Sequence, residues 1–172
     1  SIQNSNWWAD LSSFGDRLHV TFSIDGLEDT NGVYRVRTNY KKIVENYTRF
    51  IQNGGRADWK FIVFKHNQHQ INDATQLAQN AGFERIRFEY PFINRFLDNT
   101  EWEIFDKNKL IGILSPPDLE MEEVFSFTKT FKHVKKYKYN YNHNGTKHLV
   151  CPHLSEGEFY ITHDHYLIPC CM

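Results

Sequence analysis

The chain has 172 residues and a mass of 20.5 kDa, with 40% hydrophobic, 16% aromatic and 24% charged residues. That is enough to bury a core, as one sizeable domain or as one domain with the start of a second. No apolar run approaches the roughly 20 residues of a membrane span, and 20 Lys and Arg against 21 Asp and Glu give a formal net charge of -1, which argues against a general electrostatic grip on nucleic acid or anionic lipid.

Three cysteines fall in the last 22 residues. They make no even disulfide framework, and the sequence carries no secretory leader, so the expectation is a cytoplasmic protein in a reducing compartment. In that setting the glycosylation sequons at Asn46 and Asn144 carry no weight. A start at Ser1 without Met, and a stop at Met172 directly after a Cys-Cys pair, give the further expectation of a chain cut at both ends.

From Arg17 to Ile24 the run RLHVTFSI alternates and then turns apolar before an Asp-Gly pair, which predicts a buried strand ending at Asp25-Gly26. A polar stretch follows. Tyr40, Ile43, Val44, Tyr47, Phe50 and Ile51 then form the stripe of a helix lying on a sheet, with Asn39 as its cap and Gly54-Gly55 as its end. Trp59 to Phe64, WKFIVF, is nearly continuous in apolar character, as expected of a parallel strand covered on both faces.

A second helix is predicted from the stripe Ile71, Ala74, Leu77, Ala78 and Ala81, with Asn72 and Asp73 near its positive end and Gly82 as the stop. ERIRFEY supplies a third strand. The order is a βαβαβ unit, so the fold class is α/β, with a parallel sheet and ligands at the carboxyl ends of its strands. After Pro91 the pattern weakens to a strand at Lys109 to Leu114, a Ser115-Pro116-Pro117 break and the acidic DLEMEE. The basic and polar tract from Lys132 to His148 reads as a linker. Beyond it, EFYIT and YLIP flank His163-Asp164-His165 as a short hairpin set between Cys151 and the pair Cys170, Cys171.

Three groups of residues carry chemistry. Ser23 stands at the carboxyl end of the first strand, where its hydroxyl can reach a ligand, and Arg35, twelve residues on, offers a planar fork for a carboxylate. The alternative for this pair is local: a serine capping a turn and an arginine paired with Asp25 or Glu28. Lys65, His66 and Asn67, with His69 close behind, lie just past the second strand; Asn67 can donate and accept, and a histidine can move protons near neutral pH. Here the alternative is helix capping. Cys151, Cys170 and Cys171 are thiolates of the kind that iron–sulfur clusters and zinc prefer. Read from the residues alone, that end is half of a cluster site, a zinc site drawn from the three cysteines with His153, His163 and His165, or a set of free structural thiols.

The strings VTFSIDGLEDTNGVYR, QNGG and WKFIVFKHNQHQ resemble the middle of the radical S-adenosylmethionine superfamily, in the branch with a SPASM or twitch extension. The resemblance covers roughly Leu18 to Tyr90. It implies a partial (β/α) barrel, and it implies that Ser23 and Arg35 bind the amino-acid end of S-adenosylmethionine while Asn67 lines the same cleft. The Cys151 and LIPCC segments resemble the opening of a SPASM or twitch domain, which implies Cys151, Cys170 and Cys171 as ligands of an auxiliary [4Fe-4S] cluster. By this reading residues 1–130 are the later part of the barrel, 131–148 the linker and 149–172 the start of the iron–sulfur domain.

The superfamily's CxxxCxxC loop, which holds its main cluster, is not in these residues. The expectation is therefore part of a radical S-adenosylmethionine enzyme, inactive as this isolated chain, with a reductant protein and a peptide or protein substrate as partners of the complete enzyme. The competing expectation is a non-catalytic, degenerate half-barrel that binds a small ligand or a peptide, with a zinc site at its Cys/His end.

Overall fold

The computed structural model describes residues 5–91 and 101–132, together with the backbone of 160–161 and 167–168. The chain divides into two compact units, Ser1–His133 and Val134–Met172. In chain order the first carries α1 (Ser5–Ser12), β1 (His19–Ser23), α2 (Asn31–Tyr34), α3 (Tyr40–Gln52), β2 (Arg56–Ile62), α4 (Ile71–Ala81), β3 (Arg85–Glu89), β4 (Trp102–Asp106), β5 (Lys109–Leu114), α5 (Met121–Ser126) and β6 (Lys129–Thr130). The class is mixed α/β. β1, β2 and β3 lie parallel and side by side in that order, β6 adds a short antiparallel rung at the start of β3, and among the described residues the sheet stays open.

The helices form where the apolar stripes predict them. α3 is capped by Asn39, whose side chain accepts from the Lys42 amide at 3.0 Å, and α4 ends at Gly82 in the left-handed conformation, φ +89°. Both connect consecutive parallel strands and both pack on the same side of the sheet. Tyr47 and Phe50 of α3 and Ile71, Ala74 and Ala78 of α4 share one buried cluster with Phe22, Ala57, Trp59, Phe61, Ile86 and Phe88 of the strands. Trp8 of α1 joins it, its ring centroid 5.2 Å from that of Phe22.

The opposite face of the sheet is polar. Strand register aligns Thr21 with Asp58 and Arg85, and Ser23 with Lys60 and Arg87; one rung further, Ile62 faces Glu89. β2 therefore differs from the expectation of a strand apolar on both sides. Helices cover its Ala57, Trp59 and Phe61 side, while Asp58 and Lys60 look the other way among charged neighbours.

The segment after Pro91, which the sequence leaves largely unassigned, holds a hairpin. β4 pairs antiparallel with β5 through a tight turn in which Lys107 and Asn108 both take positive φ, 48° and 64°, the geometry that matches strand twist in two-residue hairpins. Ile104 and Leu114 of this hairpin bury themselves with Phe64, against Tyr34, Val36, Ile62 and Trp102, near the carboxyl ends of the parallel strands. The acidic stretch contains α5, whose Val124 reaches the main core. In the second unit β7 (Tyr160–Ile161) and β8 (Leu167–Ile168) pair antiparallel, the two rungs of the hairpin expected there. No helix of the described residues is long and apolar enough to cross a membrane.

Candidate functional site

Three loops meet at the carboxyl end of the sheet: the one after β1, the one after β2, and the one after the β4–β5 hairpin. The first is shaped by Asp25-Gly26. Gly26 has φ +150°, and a Cβ there would run into Thr30 Oγ1 and stand 2.7 Å from the Asn31 amide nitrogen, so only glycine lets the chain fold back this tightly. Asn31 holds the turn by accepting from the Asp25 amide at 3.0 Å. Gln70, buried, accepts from the Leu27 amide at 2.9 Å and donates to Asp29 at 2.7 Å, which ties the loop after β1 to the start of α4.

Asp25 is the centre of this arrangement. Its carboxylate is fully buried, accepting from the Ile62 amide at 2.7 Å through Oδ1 and from Arg35 Nε at 2.6 Å through Oδ2. Burial pushes its pKa above the ordinary carboxylate value, against the opposing pull of Arg35, the Ile62 amide and Lys60. Arg35 therefore makes the ion pair that is the local alternative for this residue. It is also 34% exposed, and its guanidinium carbon lies 5.3 Å from the centroid of the Tyr34 ring. Ser23 is exposed, on the polar face of the sheet.

Asn67 has a different place. It is 0% exposed; its Oδ1 accepts from the Phe64 amide at 2.7 Å, and its Nδ2 donates to the Asp25 carbonyl at 2.9 Å and the Ile62 carbonyl at 3.0 Å. Its amide is committed to joining the ends of β1 and β2, two strands it does not belong to. Lys65 pairs with Asp118 at 2.8 Å, and Gln68 donates to the same carboxylate, so these residues fasten the loop after β5. His66 stacks on Phe64 with ring centroids 5.7 Å apart; both its ring nitrogens are buried without a partner, and burial, helped by the charge of His69, lowers its pKa.

Asp25 as a buried hub and Gln70 as a tie were not expected from the sequence; Asp25-Gly26 beside Thr30-Asn31 is the signal that could have shown them. A charged cluster at the opposite, amino end of the strands was equally unforeseen. There His19 Nε2 lies 3.3 Å from Asp58 and 3.4 Å from Glu84, Arg56 binds Glu84 at 2.9 Å, and Arg85 Nε donates to Asp58 at 2.8 Å. Cys151, Cys170 and Cys171, with His153, His163 and His165, lie outside the described residues. Among the described residues no group of three His, Cys, Asp or Glu side chains could hold a metal ion.

Comparison with protein-family models, with curated proteins and with solved structures finds no match for this chain.

Proposed function

We propose that the chain is the cofactor-binding part of a radical S-adenosylmethionine enzyme, with β1 to β3 and their helices as successive units of a partial (β/α) barrel. What supports this reading is winding. β1, β2 and β3 lie side by side in chain order with both connecting helices on one face, a run that a partial (β/α) barrel would continue and that half of a doubly wound sheet shares. The single observation that carries the functional part is the exposed Ser23 hydroxyl on that charged face, two residues before the Asp25–Arg35 pair.

The residues present fit the amino-acid end of the cofactor at two positions. The Ser23 hydroxyl has no partner among the described residues and can accept from an ammonium or donate to a carboxylate. Arg35 reaches Asp25 with Nε, and its partly exposed fork is suited to a carboxylate as well. Asp25 holds that fork in one orientation. Asn67 acts one step back, because its bonds to the Asp25 and Ile62 carbonyls keep the two strand ends in register. When bound to a reduced cluster, S-adenosylmethionine supplies one-electron chemistry for hydrogen abstraction. The chain's own part is to bind and orient it, with Tyr34, Phe64 and Trp102 of the neighbouring hairpin cluster keeping water from that end of the sheet. Cys151, Cys170 and Cys171 complete the reading as ligands of an auxiliary [4Fe-4S] cluster, and a peptide or protein is the substrate.

Two variants test the cofactor contacts. Ser23→Ala removes an exposed hydroxyl and should leave the fold intact while weakening S-adenosylmethionine binding about tenfold, the worth of one hydrogen bond to a charged group. Arg35→Ala should weaken binding too, and should also lower stability because Asp25 is left buried without its partner. Unchanged affinity in both counts against the assignment. Joined to a segment that carries the CxxxCxxC loop and reconstituted anaerobically, the protein is expected to convert S-adenosylmethionine to 5′-deoxyadenosine.

A further inference from the structure

β3 presents an outer edge that β6 covers only at Arg85 and Ile86. Beyond that rung a cleft of about 370 Å³ follows the edge, lined by Arg87, Phe88, Glu89 and Tyr90 of the strand and by Phe125 and Thr128. Thr128 Oγ1 accepts from the Phe88 amide at 3.1 Å, which satisfies the backbone donor at this point without filling the space. Phe125 is 48% exposed.

Arg87 is the unusual member of this lining. Of the arginines on the strands, Arg56 and Arg85 each have a carboxylate partner, in Glu84 and Asp58. Arg87 has none among the described residues, and its Nε is buried from water with no acceptor. The nearest carboxylate along its own strand, Glu89, is engaged by Lys60 at 3.1 Å. Arg87 as a whole is half-buried and lines the cleft, so the end of its fork, unlike the shielded Nε, can meet a group bound there, and its charge is permanent.

We propose that this cleft binds a small ligand through an oxyanion, a carboxylate or a phosphate, held by the Arg87 fork, with an apolar or aromatic body against Phe125 and Tyr90. Arginine is suited to such groups because its planar donors meet two oxygens at once. Register places Arg87 in the same row as Ser23, two strand spacings away, about 10 Å across the polar face. The oxyanion site stands independently of the cofactor reading above.

The test uses the full chain, with phenylacetate and phenyl phosphate as probes, benzyl alcohol as the neutral control, and ligand-observed NMR as the readout. At least one oxyanion should bind at least tenfold more tightly than benzyl alcohol, and the stronger of the two identifies the group. Arg87→Met should abolish that preference without lowering the thermal midpoint, since no partner among the described residues is lost, and Arg87→Lys should keep part of it. Equal binding of all three probes, an Arg87→Met protein that still prefers the oxyanion, or one that loses stability because Arg87 serves the fold, each overturns the proposal. S-adenosylmethionine binding through Ser23 is read in a separate titration, so failure of this site and failure of the cofactor reading are distinguishable.

Discussion

Gly26 and Asp58 show how single residues hold the two ends of the sheet. At the carboxyl end, Gly26→Ala forces a side chain into a backbone conformation that suits only glycine and into the space of Thr30, with a cost on the order of 1–3 kcal/mol. Urea unfolding should show that loss, and an unchanged midpoint would contradict the account of the turn. At the amino end, burial by itself would raise the pKa of Asp58, but the His19 imidazole and the Arg85 guanidinium more than offset it, so the carboxyl titrates below its ordinary value. The sign follows. A carboxyl whose folded pKa is depressed adds stability above its unfolded pKa of about 3.9, and that stability is lost as pH falls further, through the folded value. Asp58→Asn should therefore flatten the fall in stability below about pH 4, as read by thermal midpoints across acid pH.

At the scale of elements, β2 is the strand on which the core depends. Trp59 is fully buried, its indole nitrogen donating to the Ile24 carbonyl at 2.7 Å, which ties the centre of β2 to the last turn of chain before Asp25. Trp59→Phe keeps an aromatic ring but leaves that carbonyl unsatisfied, so a loss of about 1–3 kcal/mol is expected in denaturant unfolding. The elements that could be read from the sequence are those whose pattern is set by their own residues. The α3 stripe with its Asn39 cap, the α4 stripe with its Gly82 stop, and the three parallel strands all carry their signals locally. β4, α5 and β6 were not legible. β4 turns through Lys107-Asn108 rather than the usual Asn-Gly, an extra residue at Ile111 shifts its pairing with β5, and β6 is a two-residue rung defined by its neighbour β3. The polar side of β2 was hidden for a related reason: in WKFIVF a single lysine interrupts an apolar run, and only register with Ser23 and Arg87 shows that it marks a charged face.

For the molecule as a whole, the site was legible as a location more than as a set of roles. Ser23 and Arg35 stand at the carboxyl end of the sheet, as the strand-ending Asp-Gly pair implies, but the buried Asp25 that orients Arg35 and the buried Asn67 that joins β1 to β2 emerge only from tertiary contacts. Among the described residues no helix covers the charged face of the sheet, and that arrangement is the physical basis of the proposed cofactor site. The most direct test is a ligand-observed NMR titration of the chain with S-adenosylmethionine, run beside Ser23→Ala at matched thermal stability. The account predicts saturation transfer to the methionyl protons of the cofactor that falls about tenfold in the variant. No transfer, or equal transfer to both proteins, would contradict the assignment of that face to S-adenosylmethionine.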